Sequence, residues 1–242
     1  MPTFRAAALT DIGRVRRHNE DRLLCDPRLA LFGVADGVGG LPGGAEAAEL
    51  AVNHVLAGVR DAPTTPGGLN LAAIVRSANQ AVEELGMDLN PTLGIGTTLT
   101  VGCIRDGAMK LAHVGDSRCY VAQGRDFLCL TEDHSVENEA RLRRARGEIV
   151  YFHEANRNAL TRCIGQIGQL EVDLVTRLLR PGDRYLFCSD GVTRMVTDRE
   201  LGELVGRHDD PERALRDVIQ TALDRGGPDN VTGVLVFVDE VA

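Results

Sequence analysis

The apolar residues of this chain keep two different periods, and the periods come in blocks rather than in regular alternation. From 96 to 130 the period is two: Leu99, Val101 and Cys103 alternate with Thr98, Thr100 and Gly102, as in strands of a β-meander. Asp106-Gly107 is a hairpin signal and Gly124-Arg125 marks a further turn. Upstream the period is helical. Val52, Val55, Leu56 and Val59 form one stripe, and Leu71, Ile74, Val75, Ala78, Val82 and Leu85 form a second, separated by the loop 61–69. These two helices are expected to pack together on a sheet. Residues 4–35 read as short strands, with Leu29 to Ala35 a buried one. Ser135 is placed to cap a helix to about Arg146, with Glu137 and Glu139 in its first turn. Residues 147–168 read as a long irregular excursion. Strands return at 170–177 and 184–189. Two helices follow, one opened by the capping box Thr197-x-x-Glu200 and one by Asp210-Pro211, and 231–238 is a closing strand.

Strands, two helices, a run of strands, then helices and strands do not make a doubly wound α/β fold. The reading is α+β: a central antiparallel β-sandwich flanked by helix pairs. No repeat, linker or low-complexity segment interrupts it, so one domain over 1–242 is expected, a size such a fold can fill. The net charge of −8, from 27 Lys+Arg and 35 Asp+Glu, argues against a nucleic-acid partner, because phosphate backbones reward a basic surplus. No apolar run is long enough to span a membrane, and Ala6 to Leu9 is too short for a signal-peptide core. The six cysteines (25, 103, 119, 129, 163, 188) form no CxxC pair. They are expected as buried, reduced thiols of a cytoplasmic protein.

The chemistry is expected where aspartates end apolar runs beside glycine. Asp36 precedes Gly37, Asp116 follows Gly115, Asp190 precedes Gly191, Asp229 sits in Gly227-Pro228-Asp229-Asn230, and Asp21 opens an early strand. One such aspartate is usually a turn residue. Several converging would repel one another, and divalent cations with oxygen ligands relieve that repulsion. The glycine run after Asp36 lacks the spacing of G-x-G-x-x-G and has no G-K-[ST], so a dinucleotide or Walker-type cradle does not fit.

These motifs together resemble the protein phosphatase 2C family in its compact bacterial form. The resemblance rests on seven motifs in order. They are Gly13-x-x-Arg16-x-x-Asn19-Glu20-Asp21, Val34-Ala35-Asp36-Gly37-x-Gly39-Gly40, Gly96-Thr97-Thr98 and Val114-Gly115-Asp116-Ser117-Arg118, followed by Leu130-Thr131-x-Asp133-His134-Ser135, Cys188-Ser189-Asp190-Gly191 and Pro228-Asp229-Asn230-Val231-Thr232. The resemblance implies two Mn²⁺ or Mg²⁺ ions. Asp36 would bridge them, Asp190 and Asp229 would complete the first, and the Gly37 carbonyl would serve the second. A third ion would take Asp116 and Asp190. Glu20, Asp21 and Asn230 would act through metal-bound waters, and Arg16 would grip the substrate phosphate.

The implied reaction is hydrolysis of phosphoserine and phosphothreonine in proteins by a metal-activated water. It needs no cysteine nucleophile. The implied partners are phosphoproteins, a cognate bacterial Ser/Thr kinase and a forkhead-associated scaffold. Compact size and Gly-Leu-Pro-Gly-Gly also resemble phosphatases of type VI secretion clusters. Some relatives carry a His shortly after the bridging Asp-Gly; here the run Asp36 to Gly40 has none, so a metal-bound water would protonate the leaving oxygen, with His18 and His134 as lesser candidate general acids and His113 as a core histidine. By resemblance, 147–168 is the family's variable flap. Its Arg157-Asn158 and Thr161-Arg162 either line the site or pack as loop, and Arg141, Arg143, Arg144 and Arg146 either dock an acidic phosphopeptide or form a solvated face. Two other readings stay open: a metallohydrolase of small phosphoesters, and a non-catalytic metal-binding regulator on the same fold.

Overall fold

A computed structural model describes residues 2–39 and 42–241; Gly40 of the glycine run lies outside them. The chain opens with strands β1 (Thr3–Asp11), β2 (Asp21–Asp26) and β3 (Leu31–Asp36), then helices α1 (Gly44–Asp61) and α2 (Leu71–Leu89). A meander follows: β4 (Leu99–Arg105), β5 (Ala108–Val114), β6 (Arg118–Gln123) and β7 (Asp126–Cys129). After α3 (Val136–Ala145) come β8 (Asp173–Leu178), β9 (Arg184–Cys188), α4 (Asp190–Thr193), α5 (Asp198–Arg207), α6 (Pro211–Asp224) and β10 (Val231–Glu240). The strands form two five-stranded sheets, ordered β1-β10-β9-β6-β7 and β2-β3-β4-β5-β8. Every pairing is antiparallel.

Three apolar layers hold the sandwich. Val55 and Val59 of α1 and Val75 and Val82 of α2 cover one sheet through Leu31, Leu99, Val101 and Cys103. Leu201 and Val205 of α5 and Leu215 and Val218 of α6 cover the other through Leu186 and Leu235. Phe32, Val34, Met109, Leu111, Val121, Phe187, Val234 and Val236 fill the space between sheets. The helix starts follow local chemistry. Thr197 and Glu200 close a reciprocal capping box, Asp210 caps α6 with Pro211 in its first turn, and Ser135 caps α3.

The structure adjusts the sequence reading in several places. Thr98, Thr100 and Gly102, the small and polar side of the β4 alternation, are buried as well, because both faces of this sheet are covered. Strand β8 begins at Asp173 rather than 170, and Leu170 and Val172 instead pack beneath the α1–α2 pair. Asp190 does not merely end a strand: it opens the four-residue helix α4. The excursion after α3 holds one short 3-10 turn, Glu154–Asn156. All six cysteines are free thiols, but only Cys103, Cys119 and Cys188 are buried and Cys129 is exposed.

Candidate metal centre

The carboxylates gather where both sheets end on the same side. Asp21 begins β2 and Asp36 ends β3, and the register pairs them directly. Asp116 lies in the turn between β5 and β6, Asp190 follows β9, and Asp229 precedes β10. Hydrogen bonds lock these ends. The Ser189 hydroxyl donates to Asp21 Oδ2 at 2.8 Å, and Thr232 N–H donates to Ser189 Oγ at 3.1 Å. Asp36 N–H donates to Thr98 Oγ1 at 2.9 Å, and Thr97 Oγ1 donates to the Asp36 carbonyl at 2.9 Å. Two glycines permit the approach of the backbones. A Cβ on Gly191 would lie 1.9 Å from the Asn230 carbonyl oxygen, and one on Gly37 would lie 2.5 Å from the Gly44 backbone.

Burial and mutual repulsion raise the pKa of several of these acids. Asp36 is raised well above the ordinary carboxylate range, by burial first and then by Asp21, Asp190, Asp116 and Asp229. Burial, then Asp190, pushes Asp116 up to about 7. Asp21 is pushed up to about 6, mainly by burial, against hydrogen bonds from Thr232 and Ser189. Asp190 and Glu20 are also raised, each by burial first.

Arginines partly offset this charge. Arg16 Nη2 lies 2.8 Å from Asp229 Oδ2. Arg194, one turn after Asp190, ion-pairs with Asp190 Oδ2 through Nη2 and places Nη1 3.6 Å from Asp229 Oδ2. As the side chains stand, no three His, Cys, Asp or Glu donors among the described residues enclose an ion position. The two arginines and the carboxyl–carboxyl contacts of Asp36 with Asp21 and Asp190 take up much of the available oxygen. Even so, Asp21 Oδ1 and Asp190 Oδ1 are buried without a hydrogen-bond partner. A buried carboxylate oxygen without a donor is costly, and hard divalent cations take oxygen donors of this kind. The residues therefore fit a divalent metal.

Asn230 has a different set of contacts from a water-binding one. Its Oδ1 accepts from Glu20 N–H at 2.8 Å, and its Nδ2 donates to the carbonyls of Ile12 and His18 at 2.9 and 3.0 Å. It fastens the 12–20 segment that carries Arg16 and Glu20. His134 is buried, with Nδ1 accepting from Gly115 N–H at 3.0 Å and Nε2 3.2 Å from Asp173 Oδ2. Its ring nitrogens are thus engaged in holding the Gly115–Asp116 turn. His18 is exposed. His113 is buried against His134 and is a core histidine.

A cavity of about 320 Å³ opens beside the acids, lined by Asp116, Asp190, Arg194, Arg157 and Asn158 among others. Arg162 turns away to Asp173 at 2.7 Å. Arg141, Arg143 and Arg144 pair with Glu132, Glu148 and the Val150 carbonyl on an exposed face. Arg194 is the site residue that the sequence reading missed. Its only sequence signal is the i, i+4 spacing from Asp190, which needs a helix at 190–194 to mean anything.

A two-sheet sandwich whose one end holds donor-less buried carboxylates beside anion-binding arginines defines a class: divalent-cation-dependent hydrolases of anionic esters. The profile described as Protein phosphatase 2C matches residues 8–231, and the chain belongs to that family. It is 34% identical over 242 residues to protein phosphatase PhpP of Streptococcus pneumoniae, covering 96% of each chain. To the serine/threonine protein phosphatase PstP of Mycobacterium tuberculosis it is 36% identical over 97% of its own length, but it spans only 45% of that protein. The catalytic domain of PstP, solved in complex with two manganese ions, superimposes with a TM-score of 0.83 at 32% identity, covering 98% of this chain and 99% of that one. PppA, a key regulatory component of T6SS in Pseudomonas aeruginosa, superimposes with a TM-score of 0.79 at 29% identity over 97% of both chains. The fold is that of these phosphatases, and the family's cofactor is a divalent metal.

Proposed function

We propose that this chain hydrolyses phosphoserine and phosphothreonine in proteins, using Mn²⁺ or Mg²⁺, and so opposes a Ser/Thr kinase. The observation that carries this reading is the pair of buried, partnerless oxygens on Asp21 and Asp190 within a cluster of five aspartates. Asp36, Asp190, Asp229 and the Gly37 carbonyl would hold two ions, and Asp116 with Asp190 a third. Bound there, the ions supply charge neutralisation and acidify a water toward hydroxide.

The chain's own residues do the rest. Arg16, freed from Asp229, presents two parallel donors to the non-bridging oxygens of the phosphate and orients phosphorus for in-line attack. Asn230 fixes the segment bearing that arginine. Glu20 and Asp21 would act as proton acceptors for water held at the centre. As the new bond from water oxygen to phosphorus forms, the bond to the Ser or Thr oxygen breaks and that oxygen takes a proton. Both ring nitrogens of His134 are engaged, so that proton comes from solvent rather than from His134.

In the same reading, 1–242 is one catalytic domain and 147–168 its flap. The protein acts in the bacterial cytoplasm, on a kinase and on a forkhead-associated scaffold among its targets. Among the described residues no helix is long and apolar enough to cross a membrane.

The test is phosphate release from Ser/Thr phosphopeptides and from p-nitrophenyl phosphate with added Mn²⁺. EDTA and Asp36→Asn should each abolish turnover, while Cys→Ser changes leave it intact. Full activity in Asp36→Asn would overturn the metal assignment. A preference for nucleotides over phosphopeptides would favour a small-phosphoester hydrolase instead.

A further inference from the structure

Three arginines face the cavity beside the acids, and they differ in what holds them. Arg118 is gripped by Asp133 through two parallel bonds of 2.8 and 2.7 Å. Arg157 is held by Glu137 at 2.7 Å and Glu154 at 3.1 Å. None of these partners belongs to the metal centre. Arg194 is different, because its carboxylate partners are Asp190 and Asp229. Arg194 holds Asp190 through Oδ2 and leaves Oδ1 without a partner, so a divalent ion that takes Asp190 and Asp229 draws charge from the same two carboxylates and repels the guanidinium at short range, which loosens it. Arg194 follows the last residue of α4, and its side chain is about one-third exposed. It can therefore swing into the cavity without unfolding anything. That cavity is also lined by Asp116, Arg157 and Asn158, and there Arg194 is a guanidinium whose hold on its carboxylate partners has loosened.

We propose that Arg194 is a displaced cation: when metal loads, its guanidinium leaves Asp190 and Asp229 and recognises an acidic side chain next to the phosphorylated residue of the protein substrate. This rests on the metal reading above and extends it to substrate choice. Arg118 and Arg157, already paired, do not compete for that acid. The bidentate geometry of a guanidinium suits a carboxylate.

Two measurements test it. The first is calorimetric titration with Mn²⁺ alone. Arg194→Gln should bind Mn²⁺ several-fold more tightly than the parent, because no internal cation has to be displaced. The second compares two short phosphothreonine peptides at low salt, identical except for Glu or Lys on both sides of the phosphothreonine. The parent should show a KM about five- to tenfold lower for the Glu peptide, the scale of one partly exposed charge-assisted contact. Arg194→Gln should lose that ratio and Arg194→Lys should recover most of it. An unchanged ratio in Arg194→Gln, or Mn²⁺ affinity equal to the parent's, would overturn the proposal while leaving the metal reading in place. A parent that binds no Mn²⁺ would overturn both.

Discussion

Ser189 Oγ stands 2.8 Å from Asp21 Oδ2 and joins the two sheets at the end where the acids meet. Ser189 follows β9 in one sheet and Asp21 opens β2 in the other. The same hydroxyl accepts from Thr232 N–H, so Ala at 189 would leave that buried donor without its partner and remove one of the hydrogen bonds that Asp21 receives. We expect Ser189→Ala to cost about 1–3 kcal/mol in urea denaturation with EDTA present, the scale of orphaning a buried polar group. Mn²⁺ affinity should fall with it, since Asp21 loses its anchor. A loss below about 0.5 kcal/mol, the range of an ordinary surface change, would mean that this bond does not hold the sheets.

Asn230 carries three hydrogen bonds to the 12–20 segment. At about 0.5–1.5 kcal/mol each, their removal in Asn230→Ala should destabilise the protein by about 2–4 kcal/mol. The functional effect should be larger than the stability effect alone implies. Arg16 rides on this segment, and a misplaced phosphate grip should lower kcat/KM by about ten- to a hundredfold under conditions where the variant remains folded. Asn230→Asp keeps the acceptor for Glu20 N–H but loses both donations, so it should fall between. Phosphate-release kinetics beside a denaturation curve separate the two effects, and unchanged kcat/KM in Asn230→Ala would rule out this positioning role.

Gly191 allows the start of α4 to touch the strand end at Asn230. A methyl there would sit 1.9 Å from the Asn230 carbonyl oxygen, a contact that backbone alone must relieve. Gly191→Ala should cost about 3 kcal/mol, at the upper end of overpacking, and should weaken Mn²⁺ binding by displacing Asp190. Thermal denaturation with and without Mn²⁺ reads both. A Tm within a degree or two of the parent's would show that the two segments are free to part.

What the sequence made legible was the chemistry that marks strand ends. Asp36, Asp116 and Asp190 could be picked out because an apolar run stops at each and glycine stands beside it, and Asp229 because it follows a Gly-Gly-Pro turn just before the last strand. The structure places all of them, with Asp21, at one end of the sandwich. Helix starts at 135, 197 and 210 were readable from their caps. The burial of Thr98 and Thr100 was not, because a polar side chain buried between sheets looks the same in sequence as one facing water. Arg194 was hidden for a similar reason. Its partner is one helical turn away, in a helix of four residues whose apolar pattern is too short to read. The contacts of Asn230 and Ser189 join residues more than 150 positions apart, and no local pattern encodes them.

The buried pair His113 and His134 should give the fold an acid limit. Their rings lie 4.7 Å apart, packed beneath the Gly115–Asp116 turn. Burial, and then repulsion from His134, pushes His113 down to about 4, opposed by the Glu132 carbonyl, Asp173 and Asp133. His134 is also lowered, by burial and then by Arg162, against its bond to Asp173. The folded state therefore prefers both rings neutral, and the unfolded chain binds their protons first. Stability from this source is complete above the unfolded value of about 6.5 and is lost as pH falls through about 4. For His113 the difference is about 2.5 pH units, or on the order of 3 kcal/mol between pH 7 and pH 4. The raised carboxylates act in the opposite direction over nearly the same range when metal is absent, so total stability alone does not isolate the histidines. Proton NMR does: with EDTA present, the His113 ring signals should stay flat from pH 8 to about pH 5. The pH dependence of denaturation in His113→Gln should then be shallower on the acid side than the parent's. A His113 resonance that titrates near pH 6.5 would show that its ring is open to solvent and that this pair sets no acid limit.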